Sequence, residues 1–381
     1  MSNIYVIVGE ASGDFIGSSI IQELSQDKNL KFFGIGGSLL AMKGVNSLFP
    51  MHQISLMGFL EILPHTFKLR ALIKKTVQDI LLKKIDLLIT IDSPGFTYRV
   101  AREVRKTNKE IKMIHIVAPS VWAYRPARAK KYADVYDHLL AILPFEPPYF
   151  EKVGLKCTYI GHPFLAQSFY NDKNVLRAEL DIKAGTKIIC VTPGSRKGEI
   201  KRHMPILASS LKLIAKEYQN IEVIFVLNDL KHQSLIKEYL NFDFNFRFSN
   251  DKLRMFGVSD VAIAKSGTNT LEIASSNTPL VIAYKLNSLT FWLIKMIIKI
   301  RFACLINIVA DKEIIPEFIQ DNFKPEKITT TILELLENKD KAKQQLSEAN
   351  KILIELGLGL SHNPAQKAAV AIRDLLDQGK R

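Results

Sequence analysis

The sequence predicts an α/β protein made of two Rossmann-like, doubly wound domains that face each other across a cleft. Three observations carry that prediction. Short, continuous apolar runs recur along the chain, at residues 4–8 (IYVIV), 85–91 (IDLLITI), 113–117 (MIHIV), 139–143 (LLAIL), 188–192 (IICVT), 223–227 (VIFVL), 261–264 (VAIA) and 279–283 (PLVIA). Runs of that kind mark strands buried on both faces of a parallel sheet. Helical segments alternate with them, as βαβ units require. The pattern also starts twice, on either side of a polar stretch at 169–187.

A chain of 381 residues suits two domains of ordinary size. The expected division is an N-terminal domain over 1–168, a connection over 169–187 and a C-terminal domain over 188–340. The charged helices of 341–381 then return to the N-terminal domain or reach a partner chain, so either a monomer or a homodimer is compatible with the sequence. At 47% hydrophobic and 24% charged, the chain can build full cores and is unlike a disordered protein. Its three cysteines, Cys157, Cys190 and Cys304, form no CxxC pair. That argues against a disulfide framework or a zinc site and fits a reducing compartment. The N-terminus enters a strand at once, so no signal peptide is expected, and no run is long and uncharged enough to span a bilayer. The formal charge of +14 suits nucleic acid, an anionic membrane surface or a phosphorylated substrate, over a background that a basic proteome would supply. No RNA- or DNA-binding motif accompanies it, so nucleic acid is not the expected partner.

The first strand ends in Gly9-Glu10-Ala11-Ser12-Gly13-Asp14, a glycine loop that is neither GxGxxG nor a Walker loop. Glu10 and Asp14 make it a poor phosphate cradle and a better binder of hydroxyls, unless Asp14 only complements the first turn of the helix. Residues 32–37 (FFGIGG) repeat the strand-then-glycine pattern. In 55–82, Phe67, Leu72, Ile73 and Val77 recur near helical spacing, and Lys68, Arg70, Lys74 and Lys75 take the other side. Such a helix either lies on a membrane or turns its apolar side to the core. The strand at 85–91 ends in Asp92-Ser93-Pro94-Gly95. A carboxylate at the carboxyl end of a strand is placed for a general base or for capping the turn. The strand at 113–117 runs into a loop with Ser120, Trp122, Tyr124 and Arg125, which looks like a binding loop. Pro144-Phe145-Glu146 and Gly161-His162-Pro163 follow later strand ends.

In the second half, the strand at 188–192 leads into Pro193-Gly194-Ser195-Arg196. The turn lets backbone N–H groups approach a phosphate, and Arg196 can grip it with two bonds. The strand at 261–264 breaks at Ser266-Gly267 and restarts as a helix through Thr268 to Glu272. Unpaired N–H groups at that turn favour an anion. Thr268 and Glu272, four apart, share one helix face. A carboxylate there would repel phosphate but suits the hydroxyls of a ribose. The stretch is therefore either a diphosphate-plus-ribose cradle or an ordinary capped helix. Residues 289–302 mix apolar side chains with Lys295, Lys299 and Arg301, and the charges at 338–343 suit a solvated helix face.

Taken in order, GEASGD (9–14), DSPGF (92–96), PSVWAY (119–124), PFE (144–146), GHP (161–163), PGSR with GEI (193–200), SGTNTLE (266–272), YKLNSLTFW (284–292) and INIVA (306–310) resemble the lipid-A-disaccharide synthase family over nearly the whole chain. One departure is Tyr124, where many members carry Trp. The resemblance implies a GT-B, inverting glycosyltransferase that needs neither cofactor nor metal, and no DxD-type pair is present. Its substrates would be UDP-2,3-diacylglucosamine and 2,3-diacylglucosamine 1-phosphate (lipid X), its products the lipid A disaccharide 1-phosphate and UDP. The UDP site would fall on Gly194, Ser195, Arg196, Ser266, Gly267, Thr268 and Glu272, with Asn307 at the family's important asparagine. Asp92 matches its important aspartate and is the expected base, with Glu10 second. Ser12, Asp14, Ser120, Trp122 and His162 would serve the acceptor side, His162 by positioning the acceptor phosphate or by bracing the turn. Acylated substrates make 55–82 an expected membrane-docking and acyl-binding surface, on the cytoplasmic face of the inner membrane of a Gram-negative cell. Two alternatives stand beside this. One is another GT-B enzyme acting on UDP-N-acetylglucosamine, either a lipid-linked transferase or a non-hydrolysing 2-epimerase. The other is a basic nucleotide- or RNA-binding regulator without catalysis.

Overall fold

The computed structural model describes residues 1–55, 62–166, 172–218, 220–287, 291–292, 300–359 and 363–378. The chain divides into two units, one made of Met1–Pro163 with Leu360–Arg381 and the other of Phe164–Gly359.

The first unit holds strands β1 (Ser2–Val8), β2 (Leu30–Ile35), β3 (Leu87–Ile91), β4 (Lys112–Ile116), β5 (His138–Ala141) and β6 (Lys156–Tyr159). They form one sheet in the order β2-β1-β3-β4-β5-β6, parallel throughout. The apolar runs are continuous because each face has its own cover. Ile4, Val6 and Val8 pack with Ile16, Ile20 and Ile21 of the Ala11–Leu24 helix and with Ala368, Ala369 and Ile372 of the Pro364–Gln378 helix. Tyr5 and Ile7, one residue out of phase, join Leu72, Ile73 and Val100 on the opposite face. Arg373 secures the last helix by donating to the Glu23 carbonyl at 2.8 Å.

The Ile62–Leu82 helix corrects one expectation. Leu69, Leu72, Ile73 and Ile80 are core residues and Val77 packs against them, so from Leu69 to Leu81 its apolar side is spent inside the protein. Lys68, Arg70, Lys74 and Lys75 are exposed, and among the described apolar residues of 55–82 Phe67 and Leu82 stand out in solvent, each at 81% exposure. The side chains of residues 55–66, which belong to the same expectation, lie outside the described residues.

The second unit holds β7 (Lys187–Thr192), β8 (Ile221–Val226), β9 (Asn245–Ser249), β10 (Val261–Ala264), β11 (Leu280–Tyr284) and β12 (Glu317–Ile319). Their order is β12-β11-β10-β7-β8-β9, again all parallel. Counted within the unit this is the 3-2-1-4-5-6 order of the dinucleotide-binding Rossmann sheet. One core layer joins Ile189, Val191 and Ile263 to Met204, Leu207 and Leu211 of the Lys197–Glu217 helix and to Ile328 and Ile332 of the Pro325–Glu337 helix. The segment expected to act as one C-terminal piece divides here. The Lys339–Glu355 helix stays with the second unit, where Gln345 bonds the backbone of Leu280 at both its N–H (2.9 Å) and its carbonyl (3.0 Å).

Candidate active site

In an open parallel sheet, ligands bind at the carboxyl ends of the strands where the strand order reverses, because the loops on either side lead away from each other and leave a crevice. The first sheet reverses between β1 and β3, and the second between β7 and β10. Gly9–Asp14 and Asp92–Phe96 lie at the first of these points, and Gly194–Arg196 and Ser266–Glu272 at the second.

In the second unit, β7 ends in Gly194, Ser195 and Arg196, and β10 ends in Lys265, Ser266 and Gly267. Gly194 has φ +141, and a Cβ there would stand 2.7 Å from the Glu199 Cβ, so the turn demands glycine. Glu199, in the first turn of the Lys197–Glu217 helix, folds back onto the loop. Its Oε2 accepts the Ser195 N–H at 2.9 Å and the Arg196 N–H at 3.4 Å. Its Oε1 accepts the Tyr284 hydroxyl at 3.3 Å. His203 supports the turn from beneath. Lys285 N–H donates to its Nε2 at 3.1 Å, which leaves the proton on Nδ1 to donate to the Pro193 carbonyl at 2.6 Å. Burial lowers the pKa of His203, in keeping with that neutral form. Ser195 and Arg196 themselves are exposed.

The loop after β10 is anchored by the Ser266 hydroxyl, which donates to the Ala303 carbonyl at 2.8 Å. Gly267 and Thr268 are exposed, and the Asn269–Ser275 helix follows. Glu272 lies within it, 3% exposed, and its Oε2 has no hydrogen-bond partner among the described residues. Burial raises its pKa and the Lys252 ammonium partly offsets that. A buried carboxylate oxygen without a donor costs free energy, and a ligand hydroxyl would relieve it.

Asn307 does not join this group. It is fully buried. Its amide donates to the Ile315 carbonyl (2.7 Å) and Glu317 (2.9 Å), and its oxygen accepts the N–H groups of Ile314 and Ile315 at 2.9 Å each. All of its capacity goes into the backbone after the Leu305–Ala310 helix and the Glu317 carboxylate, which corrects its expected place on the nucleotide.

In the first unit, Asp92 and Ser93 leave β3 with φ of +51 and +49, and Val117 leaves the neighbouring β4 with φ +74. Left-handed backbone is uncommon outside glycine, above all for a β-branched residue, and such strain collects at functional sites. Burial raises the Asp92 pKa, against a lowering backbone hydrogen bond at Ser93. A buried polar cluster joins the ends of β3 and β4 to Tyr136. The Thr90 hydroxyl is 2.8 Å from His115 Nδ1 and 3.1 Å from the Tyr136 hydroxyl. Burial pushes the His115 imidazole down to about 3, so it is neutral at physiological pH.

Glu10, just after β1, is exposed, and Ser12, in the first turn of the Ala11–Leu24 helix, is half-buried. Asp14 is 4% exposed, and its carboxylate accepts the N–H groups of Gly37 (2.8 Å), Leu39 (3.0 Å) and Leu40 (3.3 Å). It therefore caps the Ser38–Met42 helix, which corrects its expected place on the acceptor. Ser120 and Trp122 are half-buried. The Trp122 indole donates to Glu146 Oε1 at 3.1 Å and meets Phe145 edge-on at 5.2 Å. His162 is 1% exposed, and burial takes its imidazole down to about 4, so it offers no positive charge to a phosphate.

Two parallel six-stranded sheets, each with a polar site at its reversal point, define a protein of the GT-B class with two Rossmann-like domains. Solved structures of that architecture superimpose on it. An S. aureus MnaA–UDP co-structure covers 99% of this chain and 97% of its own at a TM-score of 0.69 and 13% identity. An Acinetobacter baumannii MurG structure covers 98% and 100% at 0.58 and 12%. These identities establish the fold alone. The chain belongs to the lipid-A-disaccharide synthetase family, a family of glycosyltransferases, whose match runs over residues 4–372. It is 53% identical to the lipid-A-disaccharide synthase of Rickettsia akari (strain Hartford) over 375 residues, 98% of this chain and 96% of that one. The enzyme of Rickettsia prowazekii (strain Madrid E) gives 53% over 376 residues, 98% and 99%.

Proposed function

We propose that this chain joins UDP-2,3-diacylglucosamine to lipid X, giving the lipid A disaccharide 1-phosphate and UDP by inverting displacement. The observation that carries the nucleotide half is Glu272, whose buried Oε2, without a partner among the described residues, suits a ribose hydroxyl one helical turn from the exposed Gly267-Thr268 turn. UDP takes its diphosphate to Ser195, Arg196 and the Ser266–Thr268 turn, and its ribose to Glu272. Arg196 and the N–H groups of the Ser266–Thr268 turn stabilise the charge that builds on departing UDP.

The acceptor belongs to the first unit. Asp92 removes the proton from the acceptor 6′-hydroxyl as its oxygen attacks the anomeric carbon, and the bond from that carbon to the UDP oxygen breaks. A raised pKa moves Asp92 toward the operating pH, where a general base works best. Glu10 is the second candidate for the base, and Ser12, Ser120 and Trp122 line the approach. Contact with an anionic membrane surface would run through Phe67 and the exposed Lys68, Arg70, Lys74 and Lys75, on the cytoplasmic face that the substrates imply. No helix among the described residues is long and apolar enough to cross a membrane.

The test is to mix the purified chain in detergent with UDP-2,3-diacylglucosamine and lipid X and follow disaccharide and UDP. Equimolar formation of both is expected. Folded protein that forms neither, or that epimerises UDP-N-acetylglucosamine instead, overturns the proposal.

A further inference from the structure

One cation at the reversal point of the second sheet has no place in the nucleotide site as assigned above. Lys265 precedes the Ser266-Gly267 turn, and its N–H donates to the Thr192 hydroxyl at 3.2 Å, tying the end of β10 to the end of β7. Its side chain, 21% exposed, crosses to the other loop. There the ammonium lies 3.3 Å from Ser195 Oγ and 3.3 Å from Glu199 Oε2. That one carboxylate oxygen also takes the N–H groups of Ser195 and Arg196. Two backbone N–H groups and an ammonium around a single oxygen make the shell that binds a phosphate oxygen. Glu199 thus fixes the ammonium beside the exposed Ser195 and Arg196.

We propose that Lys265 is a further ligand of the nucleoside diphosphate, and that Glu199 is the positioning residue that holds its ammonium at the phosphate loop. An ammonium has three N–H donors, and Ser195 and Glu199 engage two of them, leaving one for phosphate. The proposal extends to Lys265 the reading of this unit as a UDP site and rests on it. It also accounts for a feature that reading leaves open: Arg196 is exposed, and a diphosphate carries more negative charge than one arginine neutralises.

Titration calorimetry of the full chain with uridine, UMP and UDP tests it. Loss of one charge-assisted bond is expected to weaken UDP about tenfold in Lys265→Met. Uridine affinity should stay within about twofold, and Lys265→Arg should retain most of the UDP affinity. If Lys265→Met does not fold, Lys265→Gln, which keeps a donor toward Ser195 and Glu199 without the charge, must show the same loss. Wild-type protein that does not bind UDP would defeat the site reading itself. Wild-type protein that binds UDP, with Arg196→Ala weakened and the Lys265 variants unchanged, would defeat this inference alone. So would parallel losses of uridine and UDP, which would mark Lys265 as a tie between loops and no ligand.

Discussion

Gly9 and Ser93 meet across the reversal point of the first sheet so closely that a Cβ on Gly9 would stand 2.3 Å from the Ser93 hydroxyl and 2.6 Å from its Cβ. The loops after β1 and β3, which carry Glu10 and Asp92, are thereby fixed against each other. Gly9→Ala is expected to destabilise the protein by about 1–3 kcal/mol, the usual range for overpacking, and to lower turnover. Ser93 sits at φ +49, which glycine adopts freely, so Ser93→Gly removes the clash without backbone strain. The double variant should recover most of the loss in urea unfolding. Additive costs would show that the contact is not the cause.

Replacing Asp92 separates chemistry from binding. Asp92→Ala should cut kcat by roughly 10²–10⁴, the span of a lost general base, with UDP affinity unchanged. The base acts ionised, so the rate falls as pH drops through its pKa. Burial raises that pKa, so the acid limb of kcat/KM should lie above the range of an ordinary aspartate. Poor UDP binding by the variant would count against the assignment.

The strands were legible in the sequence because both faces of each sheet are covered: Val6 and Tyr5 point opposite ways and both are buried. The strand order was not, since it depends on which distant runs pair, and with it the two reversal points stayed hidden. Spacing shows that a helix has an apolar face but not what covers it, which is why Leu72 and Ile73 suggested a membrane surface and proved to be core. Asp14 and Asn307 stood in motifs, yet backbone groups, and for Asn307 also Glu317, consume their polar atoms. Glu199 stood in a motif and Lys265 just before one, but their pairing spans 66 residues and only folding reveals it.

Glu272 makes a prediction about the sugar of the nucleotide. If its Oε2 accepts a ribose hydroxyl, Glu272→Gln should weaken UDP about tenfold, as expected for a hydrogen bond to a charged group. Wild-type protein should prefer UDP to 2′- or 3′-deoxy-UDP, and the variant should lose that preference. Equal discrimination by both proteins would place the ribose elsewhere.

Glu146 gives a prediction in pH. Its carboxyl accepts Trp122 Nε1–H at 3.1 Å and the Leu143 N–H at 3.2 Å, both of which favour the ionised form, yet burial outweighs them and pushes its pKa up to about 8. An unfolded chain has the ordinary value of 4.5. Between those values the folded state keeps the proton that the unfolded state has released, so folding takes up a proton. Stability from this group therefore falls as pH rises from 4.5 toward 8 and levels off above. Glu146→Gln keeps an acceptor for Trp122 and carries no charge, so its stability should lack that decline and exceed wild type on the alkaline side. The indole reports the same event directly. With Trp292→Phe removing the other of the two tryptophans, Trp122 fluorescence should titrate with a midpoint near 8, and the Glu146→Gln change should abolish the transition. A flat wild-type curve through that range, or an unaltered one in the variant, would show that Glu146 stays ionised beneath Trp122. The loop after β4 would then be held by a charge-assisted bond, with no proton to lose.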